Sequence, residues 1–364
     1  MSISEYFSDS YADARAKFAA AAQAAGASIE PYVLPGTKGP SGEQLAIDVA
    51  VLGPANADRA LFLISGTHGV EGFCGSGCQI GFLRDRLYEA LPQSTVSVLV
   101  HAVNPYGFAW LRRVNEDNVD LNRNFRDFTQ PVPSNTEYES LHQWLLPADW
   151  DGAAREAADA ALQYYVNRHG MRAFHAAVGS GQYSRSNGLF YGGVRETWST
   201  RTFRDIVNRF VPARIKKLAG LEFHTGLGPL AYGEPMFLGG SEAGLQRARS
   251  WFGPEVTDLR DAAAGSPVVL GPLATSFDQV PSGTEVTYLA LEYGTTQFMD
   301  IVTALRADNW LHTAENLDSP LRTAIKREIR DAFYVDAAPW KAAVYGRAAD
   351  FVLRASRGLA DRGC

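Results

Sequence analysis

The feature that most constrains this chain is a pair of mainly apolar runs, one unbroken and one interrupted only by Glu222, each of which leads to a histidine. Ala60-Leu-Phe-Leu-Ile-Ser65 is followed at once by Gly-Thr-His-Gly-Val-Glu-Gly72. Leu218-Ala-Gly-Leu-Glu-Phe-His224 is followed by Thr-Gly-Leu-Gly. A short continuous apolar stretch bounded by glycine predicts a strand covered on both faces. Covered strands need helices on both sides of their sheet, so the chain is directed to an α/β architecture.

The rest of the sequence fits that frame. Val96-Ser-Val-Leu-Val-His101 and Glu285-Val-Thr-Tyr-Leu-Ala-Leu-Glu292 are further strand candidates. Ala46–Leu52 alternates in part and reads as a half-buried strand, and the turn-rich stretch 34–42 before it reads as a hairpin loop. Helices are expected over 76–90 and 201–217, as an amphipathic helix within 1–27, and through most of the chain after 292. The expected fold is a three-layer α/β/α domain spanning 1–364, with a mixed twisted sheet and an insertion at about 134–200.

Charge and composition narrow the function. A net charge of -6 with no basic run disfavours a nucleic-acid partner, because phosphate binding needs clustered Lys and Arg. No stretch approaches the ~20 apolar residues needed to span a bilayer. The start of the chain carries Glu5, Asp9 and Asp13 in place of an export signal's apolar core. Cys74, Cys78 and Cys364 do not make a disulfide framework. The expectation is a cytoplasmic protein with reduced thiols that acts on a small molecule or short peptide.

In open α/β sheets, ligands bind beyond the carboxyl ends of the strands. His68 and Glu71 stand on a Gly-flanked loop after one buried strand, spaced to close on one metal ion. A His-x-x-Glu pair is common on its own. His224, at the predicted end of a second buried strand, completes a set of two histidines and one carboxylate. Such a set leaves a position open for water, as catalytic zinc sites do, so one Zn2+ per chain is expected. Glu292 also ends a buried strand. A carboxylate there is costly unless it is paired or used, which makes Glu292 a candidate general base.

Other residues have plainer readings. Glu222 lies two residues before His224 on the same strand face, as its partner or as part of a structural ion pair. His101 is expected to support or pack near the site. His142, His169, His175 and His312 are expected to be ordinary surface or satisfied histidines. Cys74 and Cys78 share a helix face and suit packing against the sheet. The sequence has neither a Gly-x-Ser-x-Gly elbow nor a glycine-rich phosphate loop.

Asn104-Pro-Tyr-Gly-Phe108, Arg113-Val-Asn115 and Asp120-Leu-Asn-Arg-Asn-Phe125 then follow in order. With them, residues 60 to 295 resemble the zinc carboxypeptidase family, and more closely its bacterial branch of unknown function. That branch is also similar to the succinylglutamate desuccinylase and aspartoacylase deacylases. The resemblance implies the zinc carboxypeptidase fold and makes His68, Glu71 and His224 the metal ligands. It sets Asn122 and Arg123 on the pair that holds a substrate's free carboxylate, and Glu292 on the catalytic glutamate. Arg113, or Arg112 beside it, matches the arginine that polarises the scissile carbonyl. Asp120 matches the aspartate that orients the first metal histidine. The implied reaction is zinc-dependent hydrolysis of an amide bond next to a free carboxylate, on short peptides or N-acyl amino acids. The alternatives are a deacylase or amidase that needs no such carboxylate, and a metal- or ligand-binding protein without turnover. The chain departs from the family in a short stretch between Arg113 and Asp120. The insertion has no counterpart, and Tyr183, Tyr191, Tyr232 and Tyr293 are equal candidates for the family's mobile tyrosine.

Overall fold

Eight strands form one sheet: β1 (Ser28–Lys38), β2 (Gln44–Leu52), β3 (Arg59–Ile64), β4 (Thr95–His101), β5 (Lys217–Leu230), β6 (Glu234–Phe237), β7 (Thr257–Asp258) and β8 (Glu285–Gly294). Their spatial order is β1-β2-β4-β3-β5-β8-β6-β7. The structure, a computed structural model, describes residues 2–260, 269–313 and 316–361. β4, β3, β5 and β8 run parallel at the centre, while β2 and β6 flank them antiparallel, so the sheet is mixed.

The apolar run of β3 is continuous because both faces of the strand are covered. Along β3, Leu61 and Leu63 join one core with Phe18, Phe73 and Phe351, while Phe62 and Ile64 join another with Phe203 and Phe277. The first core is covered by α1 (Tyr11–Ala24), α2 (Gly72–Arg84), α8 (Glu242–Phe252) and α11 (Ala338–Ala360). The second is covered by α7 (Trp198–Phe210). Burying each such side chain is worth roughly 1.5–3 kcal/mol. Among the described residues, no helix is long and apolar enough to cross a membrane.

Several boundaries differ from expectation, each for a physical reason. α2 begins at Gly72, not 76, and Gly72–Leu83 is buried throughout. Glycine costs about 1 kcal/mol in a helix interior, which hides the early start from propensity. A Cβ on Gly75 would stand 2.6 Å from the Ser65 Cβ, so close approach to the sheet requires glycine there. The helix carries Cys74 and Cys78, both buried and free, whereas Cys364 lies outside the described residues. α7 stops at Phe210 rather than 217, because a residue before proline (Val211-Pro212) is disfavoured in helix. β2 is buried on both faces from Leu45 to Ala50, and Asp48 is held by Arg15 Nε at 2.6 Å instead of facing water. The N-terminal stretch splits into a short 3-10 turn at Ile3–Tyr6 and α1, whose start is capped by Ser10 accepting from the Asp13 amide at 3.1 Å.

Within residues 134–200 lie α4 (Thr136–Leu145), α5 (Ala153–His169) and α6 (Met171–Gly179). They share an apolar cluster with α9 (Phe298–Thr313) and α10 (Arg322–Phe333), through Tyr138, Phe174, Ile301 and Phe333. His224 does not end its strand, because β5 runs on to Leu230. β3 is shorter: its last residue, Ile64, pairs with Glu222, so His224 projects two residues beyond it. Glu292 lies opposite His224 on the other side of β5.

Candidate metal centre and its cavity

The loop after β3 is shaped by close packing. Gly66 turns with φ +66°, where a Cβ would stand 2.6 Å from that of Ala102. Gly69 lies so close to the Gly107 backbone that no side chain fits between them. Gly107 belongs to α3 (Pro105–Ala109), which Asn104 caps by accepting from the Gly107 amide at 2.8 Å. The Asn-Pro-x-Gly motif thus builds the surface on which the histidine loop rests. The amides of Gly69 and Val70 donate to the carbonyls of Arg113 and Arg112 at 3.1 and 2.8 Å, which ties the arginine segment to the loop.

His68, Glu71 and His224 meet in this space, none more than 4% exposed. His68 Nδ1 is 2.9 Å from Glu71 Oε1 and His224 Nδ1 is 2.8 Å from Oε2. One potential ligand atom from each residue lies within 4.8 Å of the others. His68 Nδ1 is buried without a hydrogen bond among the described residues, although it lies beside the carboxylate. The outer nitrogens are held by acids: His68 Nε2 lies 3.1 Å from Asp120 Oδ1 and His224 Nε2 lies 2.9 Å from Glu222 Oε1. Metal-bound histidines are oriented in this way, so the donor set fits a metal ion. Burial alone would raise the Glu71 pKa, but the two imidazoles outweigh it and hold the carboxyl well below the ordinary range. Burial is likewise overcome at Asp120 by Arg113 and His68.

Of the two candidate arginines, only Arg113 reaches this centre. Its Nε donates to Asp120 Oδ2 at 3.1 Å and its Nη1 to Glu71 Oε1 at 3.0 Å. Its Nη2 is 2.8 Å from His68 Nε2. Arg112 turns the other way and donates to Asp308 and Asn118 at 2.9 and 3.0 Å.

A cavity of about 120 Å³ opens over the centre, lined by His68, Arg113, Asn122, Arg123, His224 and Glu292 among others. Glu292 is half-buried and accepts from the Leu227 amide at 3.0 Å. Burial and the Glu71 charge push its carboxyl up to about 7, against the pull of His224. Asn122 accepts from the Leu273 amide at 2.8 Å and holds its Nδ2 3.3 Å from His224 Nε2. Arg123 Nη1 donates to the Asn122 carbonyl at 3.0 Å and Nη2 to the Gly179 carbonyl, while its buried Nε has no partner among the described residues. Asp127 does not pair with Arg123 and instead accepts from Thr129. Away from the charges, Met236, Leu259 and Ala290, with Leu238 against them, form a small apolar cluster of their own that lines the cavity.

None of the four candidate tyrosines lines this cavity. Tyr183 donates to the carbonyls of Arg123 and Leu270, Tyr191 and Tyr293 are buried, and Tyr232 is exposed. His101 lies apart, stacked on Phe18 at 4.5 Å and 2.9 Å from Ser76 Oγ. His175, read from the sequence as ordinary, does line the cavity. Its only local signal is an i,i+4 relation to Gly179, visible once α6 is known.

An α/β sheet that gathers two histidines and a carboxylate beneath a charged cavity defines a candidate metal site. The chain belongs to the family described as protein of unknown function (DUF2817), whose model matches residues 7–347. No curated protein matches it. Among solved structures it is similar to carboxypeptidase A from Helicoverpa armigera, at 13% identity and TM-score 0.47, over 89% of this chain and 74% of that one. An aspartoacylase family protein from Mesorhizobium loti matches at 15% identity and TM-score 0.37, over 79% and 66%. The murein-tripeptide amidase from Escherichia coli O157 matches at 15% identity and TM-score 0.34, over 83% and 91%.

Proposed function

We propose that the chain is a zinc-dependent hydrolase that cleaves an amide bond next to a free carboxylate, on short peptides or N-acyl amino acids. One observation carries the reading. His68, Glu71 and His224 converge beneath a cavity that Arg113, Asn122, Arg123 and Glu292 also line. A zinc ion held there supplies Lewis acidity and lowers the pKa of water towards ~7. Glu292 takes the proton from the attacking water and returns it to the leaving nitrogen, a task suited to a carboxyl that titrates near neutrality. Arg113 stabilises the negative charge that develops on the carbonyl oxygen. Asp120 and Glu222 keep the two imidazoles in register. Asn122 and Arg123 hold the substrate's carboxylate. The wall of Met236, Leu238, Leu259 and Ala290 favours an apolar substituent on the substrate. The free, buried thiols fit a cytoplasmic setting.

The test is elemental analysis with an activity screen against N-acyl amino acids and dipeptides after zinc loading. About one equivalent of zinc and amide hydrolysis are expected, and His68→Ala, Glu71→Ala or His224→Ala should remove both. Full metal in all three variants would reject the centre. One observation favours a second reading, an amidase indifferent to the carboxylate: two donors of Arg123 are already engaged by backbone carbonyls. Equal kcat/KM for free and carboxyl-blocked substrates would select it.

A further inference from the structure

We propose that His175 is a second contact for the substrate's carboxylate, brought beside Arg123 by helix α6. The inference rests on the carboxylate reading above and adds the insertion to the binding site.

His175 and Gly179 are four residues apart on α6, hence on one helix face, and both line the cavity. The Gly179 carbonyl, in the helix's last turn, accepts from Arg123 Nη2. Such carbonyls lack a partner within the helix, so the arginine satisfies one and fixes α6 against itself. That contact brings the His175 ring to the wall where Arg123 Nε is buried without a partner. The ring packs on Phe298 at a centroid distance of 4.3 Å and makes no hydrogen bond to any described residue. The ring is half-buried, and neither nitrogen is engaged by a described residue, so both are available at the cavity wall. Burial and the Arg123 charge lower its pKa to about 4. The imidazole is therefore neutral, with one N–H donor to offer near neutral pH. A carboxylate has two oxygens and several lone-pair directions, so Arg123 and His175 can each serve one side of it. Phe190 and Leu305 nearby keep the local dielectric low, which strengthens such bonds.

The experiment compares N-acetyl-L-leucine with its carboxamide, by kcat/KM and by calorimetric Kd, in the zinc-loaded wild type, His175→Ala and His175→Gln. The wild type should prefer the acid. His175→Ala should lower the acid-to-amide ratio by about tenfold, mainly through KM, and His175→Gln, which keeps an N–H donor, should recover part of it. The Kd ratio reads the same preference if neither compound is turned over. If His175→Ala weakens acid and amide alike, or keeps the wild-type preference, His175 is a packing residue and the inference fails while the carboxylate reading stands. If the wild type itself shows no preference, the carboxylate reading fails too, and the metal centre is untouched.

Discussion

Arg112 and Arg113 are neighbours in the chain yet serve two buried charge clusters of opposite design. In the Arg112 cluster the polar atoms satisfy one another. Asp308 receives Arg112 Nε at 2.9 Å and Lys326 Nζ at 2.5 Å, with His312 Nε2 at 3.7 Å. Lys326 also donates to the Trp110 carbonyl at 2.7 Å. The Arg113 cluster is open. Two imidazole nitrogens face one carboxylate, one of them without a hydrogen bond, and a cavity lies over them. Buried histidines, acids and arginines therefore do not make a site by being buried. What separates the two clusters is whether the polar atoms satisfy one another or converge on space.

That contrast can be broken most directly at Glu292. Under the proposed function, Glu292→Gln keeps size and hydrogen bonding but loses the base, so kcat should fall by about 10²- to 10⁴-fold while metal content persists. Steady-state kinetics with elemental analysis checks both, and near-normal turnover would move the base elsewhere. Asp308→Ala should do the reverse. It leaves Arg112 and Lys326 buried without their acid, a loss of about 3–5 kcal/mol in denaturant unfolding, with zinc content per folded chain unchanged. Loss of zinc from folded Asp308→Ala protein would erase the distinction between the clusters.

The acids behind the histidines sharpen the comparison. Glu222→Gln should weaken zinc binding by about 10- to 100-fold, measured by competition with a chelator, because His224 loses the partner of its outer nitrogen. An unchanged affinity would return Glu222 to a purely structural ion pair.

The smallest effect concerns acid stability. Burial lowers the pKa of His101 to about 3, and burial with the Arg112 charge does the same for His312. Both folded values lie below the unfolded value of about 6.5. Between those limits the unfolded chain takes up protons that the folded chain refuses. The stability contribution is therefore complete above about pH 6.5 and is lost as pH falls towards 3. Tm should drop by on the order of 5 °C between pH 7 and pH 5, and the slope should flatten in His101→Phe. A slope unchanged in that variant would exclude His101 as a source.

Much of this molecule was legible before folding was considered. The runs at Ala60–Ser65 and Leu218–His224 are local signals of covered strands, and β3 and β5 follow them. The Asn-Pro-x-Gly motif carries its own cap and turn chemistry, which α3 realises through Asn104 and Gly107. Helix ends were less legible. The start of α2 depends on Gly72 and Gly75, placed for close contact with Phe108 and Ser65 rather than for helix propensity. Amphipathic period is silent where every face is buried, as along Gly72–Leu83.

Residue types and spacing by themselves determined the α/β architecture, the three residues that meet as a candidate metal set, and the strand carrying Glu292. Those follow from short-range patterns, which are properties of consecutive residues. Tertiary structure alone decided which of Arg112 and Arg113 faces the centre, that Glu222 backs His224, and that His224 lies within its strand. It also carried His175 to the cavity on α6, about 50 residues from Arg123 in the chain. Each of these depends on strand register or on the meeting of distant elements. Neither leaves a local period in the sequence, because the partners are set by packing and not by spacing along the chain.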